Sequence, residues 1–204
     1  MKKINLIILF ICCCSTAYAQ ESYLYFDWDV NIPLTNKDWI DNTSARGAKV
    51  GFRKFIGADR KFSAGLDFNW AYFDEYKPTE TFPQPGGAIT TDYFNEIDQF
   101  GLTASGQYYF QVGNRQHFFP YAGLGLGANH HDYIVSYNIY TDKESSWGFL
   151  ARPEAGILIR IGTRRRLGAM AAVHYDYSTS KSVNYDYNNF SSVGFQLGVM
   201  LMQW

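Results

Sequence analysis

The chain has 204 residues, of which 18 are lysine or arginine and 19 are aspartate or glutamate, so its formal net charge is −1. It lacks the basic excess of nucleic-acid-binding proteins, and we expect no nucleic-acid partner. Aromatic residues make up 18% of the chain and there are 18 glycines, a composition typical of strands, turns and membrane interfaces.

The first 19 residues differ from the rest and predict a cleaved secretory signal peptide. Lys2 and Lys3 form a positive start, residues 4–14 an apolar run, and Ala-Tyr-Ala at 17–19 a small-x-small cleavage site. The apolar run is too short for a transmembrane helix, which needs about 20 residues. We therefore expect export through the inner membrane and a mature domain of residues 20–204.

All three cysteines, Cys12 to Cys14, lie in this predicted signal peptide. A lipoprotein would carry its lipid on one of them, but Phe10 and Ile11 are bulkier than the residues that precede an acylated cysteine. The mature chain would have no disulfide, so its stability would come from burial and hydrogen bonding.

After residue 20, apolar and polar side chains alternate with a period of two, which predicts strands with two unlike faces. The alternation is clearest from Phe62 to Tyr72, where every second residue is apolar. We predict eight such strands, in chain order within residues 24–32, 48–53, 62–72, 99–110, 121–129, 147–161, 167–178 and 192–201.

The connections between these strands alternate between tight turns and longer loops. The tight ones, at 57–61, 113–116 and 162–166, combine glycine with charged or amide residues. The longer ones span 33–45, 74–98, 131–145 and 179–190, and the three prolines and two glycines of 74–98 predict irregular structure. Short turns at one end and long loops at the other are typical of bacterial outer-membrane barrels. The predicted fold is all-β: an eight-stranded antiparallel up-and-down transmembrane β-barrel.

Alternation alone leaves open which face points outward, since a soluble secreted barrel of the lipocalin type would also have eight alternating strands. The apolar faces are nearly free of charge, whereas the polar faces carry both signs and many glycines, which favours apolar faces toward lipid and polar faces inside. We expect an ion-pair network in a closed lumen, formed by Asp27, Asp29, Lys49, Arg53, Asp67, Arg152, Glu154, Arg160, His174 and Asp176.

The chain resembles the small eight-stranded outer-membrane β-barrel superfamily, that is, the OmpX/OmpA/OmpW-like proteins with an "outer membrane protein beta-barrel domain". The resemblance covers residues 20–204 and is carried by the glycine-rich strand at 120–127 and by the last nine residues. It implies that the C-terminal segment is the signal read by the barrel-assembly machinery, and that the protein contacts outer-membrane lipid. Four residues fit that signal, while Gln203 stands where an apolar residue is expected: Gln196, Gly198, Leu201 and Trp204.

Three groups of residues have possible chemistry that we weigh against ordinary structural roles. His174 and Ser178 are similar to a pair in lipid A deacylases, but they are four residues apart and on the lumenal face, where a polar network is the simpler interpretation. The run from His130 to Asp132 has metal-ligating residue types, but neighbours on a strand point to opposite sides. Arg164 to Arg166 form a basic turn that is most simply solvated. We predict no catalytic residue, no metal and no cofactor.

The long loops are the expected place for recognition, because loops on rigid scaffolds commonly carry it. Tyr76, Phe82, Tyr185 and Tyr187 are candidates for an aromatic binding surface; an interfacial girdle or lid is the alternative. The favoured function is a non-enzymatic outer-membrane scaffold, serving envelope integrity or a protein partner bound through these loops. A narrow channel for small solutes, a lipid A-modifying enzyme and a secretion-system accessory remain alternatives.

Overall fold

The computed structural model describes residues 21–57, 59–84, 87–110, 117–137, 140–161 and 166–203, without the side chains of residues 82–84, 89 and 203. The predicted signal peptide, the turn at 113–116, most of the turn at 162–166 and Trp204 lie outside these residues. Within the described part of the chain, no helix is long and apolar enough to cross a membrane.

The described residues form eight strands that close into one barrel. Every strand pairs antiparallel with its neighbours in sequence, and the first strand pairs with the last over Ser22–Gln203 to Pro33–Ser192. The predicted eight-stranded up-and-down barrel is confirmed. In chain order the strands are β1 (Ser22–Pro33), β2 (Ser44–Ile56), β3 (Phe62–Gln84), β4 (Gly87–Tyr109), β5 (Phe118–Tyr137), β6 (Tyr140–Ile161), β7 (Leu167–Ser178) and β8 (Phe190–Gln203).

The two faces of the strands point as predicted. In β1, Tyr25 and Asp27 are buried in the lumen, whereas the neighbouring Leu24 and Phe26 are 45% and 55% exposed on the outside. The same alternation brings Leu66 of β3 to 61% exposure while Asp67 is buried. An exterior this apolar is stable only against lipid. The alternative of a soluble barrel with an apolar interior is therefore wrong.

The prediction of an irregular loop at 74–98 is wrong, because β3 and β4 continue as a paired hairpin up to Gln84–Gly87. The paired hairpin continues through the segment despite its prolines. β2 pairs with β3 no further than Arg46–Tyr72, so beyond Tyr72 one edge of β3 has no partner strand. A proline on such an edge costs no ladder hydrogen bond, and the pairing shifts only between Lys77 and Glu80, around Pro78.

The predicted loop at 131–145 is also a hairpin, in which β5 and β6 pair up to Tyr137–Tyr140. Tyr, Ile and Val residues there favour a strand. These extensions give the barrel an uneven extracellular end, since β7 and β8 pair no further than Ser178–Phe190. We call the tall side, residues 73–84, 87–98, 131–137 and 140–149, the wall. The two remaining loops, 34–43 and 179–189, lie on the short side.

Candidate functional site

The middle of the lumen holds a first ion cluster contributed by the neighbouring strands β2 and β3 and by β6 on the other side of the barrel. Lys49 of β2 lies 2.5 Å from Glu154 of β6, and Arg53 lies 2.8 Å from Asp67 and 3.2 Å from Glu154. All four side chains are at most 3% exposed. Tyr25 donates a further hydrogen bond of 2.5 Å to Asp67. Charges buried to this degree are tolerated only when each has partners of opposite sign, and this cluster crosses the full lumen.

A second ion cluster lies on the β7–β8 side. Arg152 contacts Asp29 at 2.6 Å and Asp176 at 3.4 Å. The His174 Nε2 atom lies 3.1 Å from the Asn31 side-chain oxygen and 3.7 Å from an Asp29 oxygen. Together the two clusters bring together eight of the ten residues expected in the lumenal network.

Of the other two residues of that expected network, Asp27 lies directly opposite Lys49 in the pairing of β1 with β2, beside the first cluster. Asp27 is fully buried, and neither of its carboxylate oxygens has a hydrogen-bond partner among the described residues. Arg160 lies at the periplasmic end, 3.9 Å from Glu21 and with its guanidinium 4.6 Å from the centre of the Phe119 ring.

An apolar plug fills the lumen on the periplasmic side of the ion clusters. The hydroxyls of Tyr23 and Tyr109 are 2.5 Å apart, and the Tyr23 ring is 5.6 Å from Phe55. We call this set the lower plug, and its buried members are Tyr23, Tyr25, Phe55, Tyr109, Tyr121, Leu158, Met170, Ala172, Met200 and Met202. Its aromatic and methionine side chains leave the charged layer shielded from the periplasm.

A second apolar layer closes the extracellular mouth. Trp39 of the first loop turns inward, with its ring centre 5.7 Å from Tyr133 and 5.1 Å from Tyr185. The next residue, Ile40, is fully buried. We call this set the cap, and its buried members are Trp39, Ile40, Ala71, Phe73, Ile97, Tyr133, Val135 and Phe190.

Polar contacts from the wall hold both short-side loops over the mouth. Asn95 donates to the Trp39 carbonyl at 2.9 Å, and the Lys77 ammonium donates to the Asp38 carbonyl at 2.9 Å. On the other side, the Glu144 carboxylate accepts hydrogen bonds from the Ser182 hydroxyl at 2.5 Å and from the Val183 amide at 2.9 Å. The members of the cap come from five separate segments of the chain, residues 39–40, 71–73, 97, 133–135 and 190.

The expected recognition residues fall into two separate places. Tyr185 and Tyr187 pack on Trp39 at the mouth, whereas Tyr76 lies on the outer face of the wall, 5.3 Å from Phe94. The side chain of Phe82 is outside the described residues. Sequence reasoning missed Trp39, although an adjacent Trp-Ile pair in an otherwise polar loop is a signal for an inward-turning segment.

The tyrosines of this mouth lie beside carboxylates. Burial raises the pKa of Tyr93 to about 12, and Glu80 adds to the shift. Burial also raises the pKa of Tyr187 to about 12, with a contribution from Asp38. These tyrosines stay protonated at neutral pH and keep their hydroxyls as hydrogen-bond donors.

The residues of the other candidate sites make contacts typical of structural residues. His174 bonds to Asn31 and Ser178 is bonded by Asn129, both inside the lumen and away from lipid. His131 is fully buried, while its neighbour His130 stacks on Trp147 at 4.7 Å on the other side of β5. Among the described residues, no group of three or more His, Asp or Glu side chains is arranged to hold a metal ion.

Three residues of the expected assembly signal lie in β8 at its pairing with β1 and β7. Gln196 is buried and donates toward Glu154 at 3.4 Å, and Leu201 is 52% exposed to the outside. Gly198 lies against Asp27 of β1. The fourth, Trp204, lies outside the described residues.

Comparison with known proteins identifies structures of the same shape. Ail of Yersinia pestis, in a complex with the heparin analogue sucrose octasulfate, matches with a TM-score of 0.54 and 16% identity, over 90% of this chain and 99% of that chain. Neisserial surface protein A matches with a TM-score of 0.55 and 15% identity, over 88% and 96% of the two chains. OprG of Pseudomonas aeruginosa matches with a TM-score of 0.50 and 15% identity, over 91% and 96%. No protein-family model and no curated protein sequence matches the chain. The protein therefore has the fold of the small eight-stranded outer-membrane β-barrels.

Proposed function

We propose that this protein is an integral outer-membrane scaffold that is non-enzymatic and non-conducting, and that its wall and cap bind a partner outside the cell. The observation that carries the proposal is the three-layer filling of the lumen. An ion-pair layer lies between the lower plug and the cap, and every layer is built from buried side chains. An eight-stranded barrel is just wide enough for side chains to fill it.

The proposal includes the route by which the protein reaches the membrane. The predicted signal peptide would direct export, and the C-terminal segment ending at Trp204 would direct insertion by the barrel-assembly machinery. The apolar outer surface, with Phe26, Leu66 and Leu102 all more than half exposed, supports a lipid environment for the mature domain.

The position of the candidate catalytic pair supports a non-enzymatic role. A lipid A deacylase needs its nucleophile at the lipid surface, and Ser178 is fully buried inside the barrel. It is bonded by Asn129 and not by a histidine. The narrow-channel alternative would require both the lower plug and the cap to move.

The extracellular part of the chain supports partner binding through charge. Ail was solved with sucrose octasulfate, a polyanion, whereas residues 34–47, 73–98, 130–147 and 179–189 of this chain contain 12 acidic and 5 basic residues. This surface disfavours a polyanion and favours a basic ligand.

Planar-bilayer recording of the refolded mature protein tests the proposal. We expect insertion, seen as heat-modifiable gel migration, without single-channel steps. Stable conductance steps from folded protein would refute the sealed scaffold, and a changed lipid A acylation pattern in cells that express the gene would refute the non-enzymatic role.

A further inference from the structure

Four partly buried tyrosines surround the sealed extracellular mouth and face away from the membrane. Tyr93 of β4 and Tyr137 of β5 have ring centres 5.7 Å apart, and Tyr185 and Tyr187 of the last loop pack on Trp39 at 5.1 Å and 5.6 Å. Tyr137 lies close enough to Tyr185 to influence the pKa of its hydroxyl, and Tyr93 does the same to Tyr187, so the two pairs are near neighbours at the mouth. We call these four residues the tyrosine cup.

Carboxylates border the tyrosine cup on two sides. The Tyr93 hydroxyl donates to Glu80 at 3.2 Å, and the Tyr185 hydroxyl donates to Asp142 at 3.2 Å. Lys77, on the lumenal side of β3, is held at 2.7 Å by Glu75. The positive charge of Lys77 is thus offset locally by Glu75, and the rim keeps a negative character.

Aromatic ring faces and nearby carboxylates both attract a cation. The face of an aromatic ring attracts a cation, and the attraction grows when several rings surround it. The two carboxylates orient the tyrosine hydroxyls and supply the negative charge that draws a cation to the mouth. The acidic excess of the whole extracellular part acts in the same direction.

We propose that the tyrosine cup, with Glu80 and Asp142, is a binding site for the lysine or arginine side chain of a basic protein partner. The inference rests on the proposed role as an extracellular binding scaffold, and it names the class of partner. The rings would enclose the methylene stem and the cationic head, while the carboxylates would accept its hydrogen bonds.

Fluorescence anisotropy with labelled peptides tests this site, with the full mature barrel refolded in neutral detergent. We expect an octalysine peptide to bind with an affinity that falls steeply as salt rises. An octaglutamate peptide should not bind. Competition by maltoheptaose, a neutral saccharide, as strong as competition by unlabelled octalysine would overturn the proposal in favour of a sugar site.

Matched variants separate the tyrosine cup from the general acidity of the surface. Tyr185→Ala should weaken octalysine binding by about tenfold, whereas Tyr76→Ala, on the outer face of the wall, should leave it unchanged. Asp142→Asn should weaken binding and flatten its salt dependence, whereas Asp74→Asn on the outer face should do so much less. Heat-modifiable migration of each variant checks that the barrel is folded.

Different experimental results would refute the tyrosine cup and the sealed scaffold. Equal effects of Tyr185→Ala and Tyr76→Ala, or no octalysine binding by a folded and non-conducting barrel, would refute the cup while the scaffold stands. Conductance steps from a barrel that still binds octalysine through Tyr185 would refute the sealed scaffold and leave the cup in place.

Discussion

Among single side chains, Glu144 has the clearest influence on the extracellular loops. Its carboxylate accepts one hydroxyl and two amide hydrogen bonds from residues 182–184 of the last loop. Slight burial raises the pKa of Glu144, but the bonds from Ser182 and the two amides outweigh it, so the pKa lies below the ordinary 4.5. The stabilisation of the loop is therefore complete above pH 4.5 and is lost as the pH falls through the lowered value.

We predict that Glu144→Gln loosens this loop at neutral pH and has little effect once the pH has fallen below the lowered pKa of Glu144, where the native carboxyl is itself protonated. Because the group is only partly buried, we expect amide exchange at Val183 to rise only about threefold to tenfold at pH 7. Hydrogen exchange of the refolded protein measures it. Asp74→Asn, on the outer face of the wall, is the control, and an equal rise in that variant would contradict the assignment.

The buried and exposed ion pairs of this barrel should differ sharply in what their loss costs. Arg53→Met leaves Asp67 without its closest cation in a buried site, and we predict a loss of about 3–5 kcal/mol in the free energy of unfolding. Lys143→Met breaks a 2.9 Å pair with Asp132, but Lys143 is 52% exposed, so the loss should be about 0–1 kcal/mol. Urea unfolding in lipid vesicles measures both, and similar losses would argue against a structural role for the lumenal network.

In β8, the presence of a glycine at position 198 has two separate explanations. Gly198 fits the expected assembly signal, yet the folded barrel also requires it, because a Cβ atom there would overlap the Phe26 carbonyl and the Asp27 side chain of β1. The Phe26 carbonyl belongs to the backbone of the strand that closes the barrel, so it cannot move aside without disturbing the β1–β8 ladder.

We predict that Gly198→Ala impairs barrel closure even without any assembly machinery, with a loss of about 1–3 kcal/mol from overpacking. Refolding into detergent, followed by heat-modifiable migration, measures it. Gly87→Ala is the matched control, because a Cβ atom there meets nothing within 4 Å. Normal refolding of Gly198→Ala would leave the assembly signal as the sole reason for this glycine.

The elements also show where sequence reasoning succeeded and where it stopped. Alternation from Phe62 to Tyr72 was enough to place β3 and both of its faces, since burial of one face repeats at a fixed period of two. The continuation of β3 beyond Asp74 was missed because prolines usually exclude strands. Proline is excluded only where a neighbouring strand would need the backbone N–H that proline lacks. Whether β3 has such a neighbour there depends on how far β2 pairs with it, which the sequence does not show.

The same limit applies to the candidate site. Opposite charges on inward faces predicted a lumenal network, because such charges need partners inside a barrel. Which acid meets which base was not predictable: Lys49 and Glu154 are 105 positions apart in the chain. Trp39 was missed for a similar reason, since its partners Tyr133 and Tyr185 come together only when the loops fold over the mouth.

At the level of the whole barrel, closure is redundant. The lower plug, the ion clusters and the cap each fill the lumen with buried side chains, so the loss of one layer leaves two others in the path of an ion. We therefore predict that Trp39→Ala combined with Tyr133→Ala opens the cap without producing conductance. Combining these changes with Tyr23→Ala and Tyr109→Ala in the lower plug should produce brief, ion-selective steps, because the charged layer alone would then remain.

Planar-bilayer recording of the unchanged barrel, the cap variant and the combined variant makes the comparison, with heat-modifiable migration as the check on folding. Full conductance after the cap changes alone would mean that the cap is a gate over an open lumen and that the inner layers do not seal it.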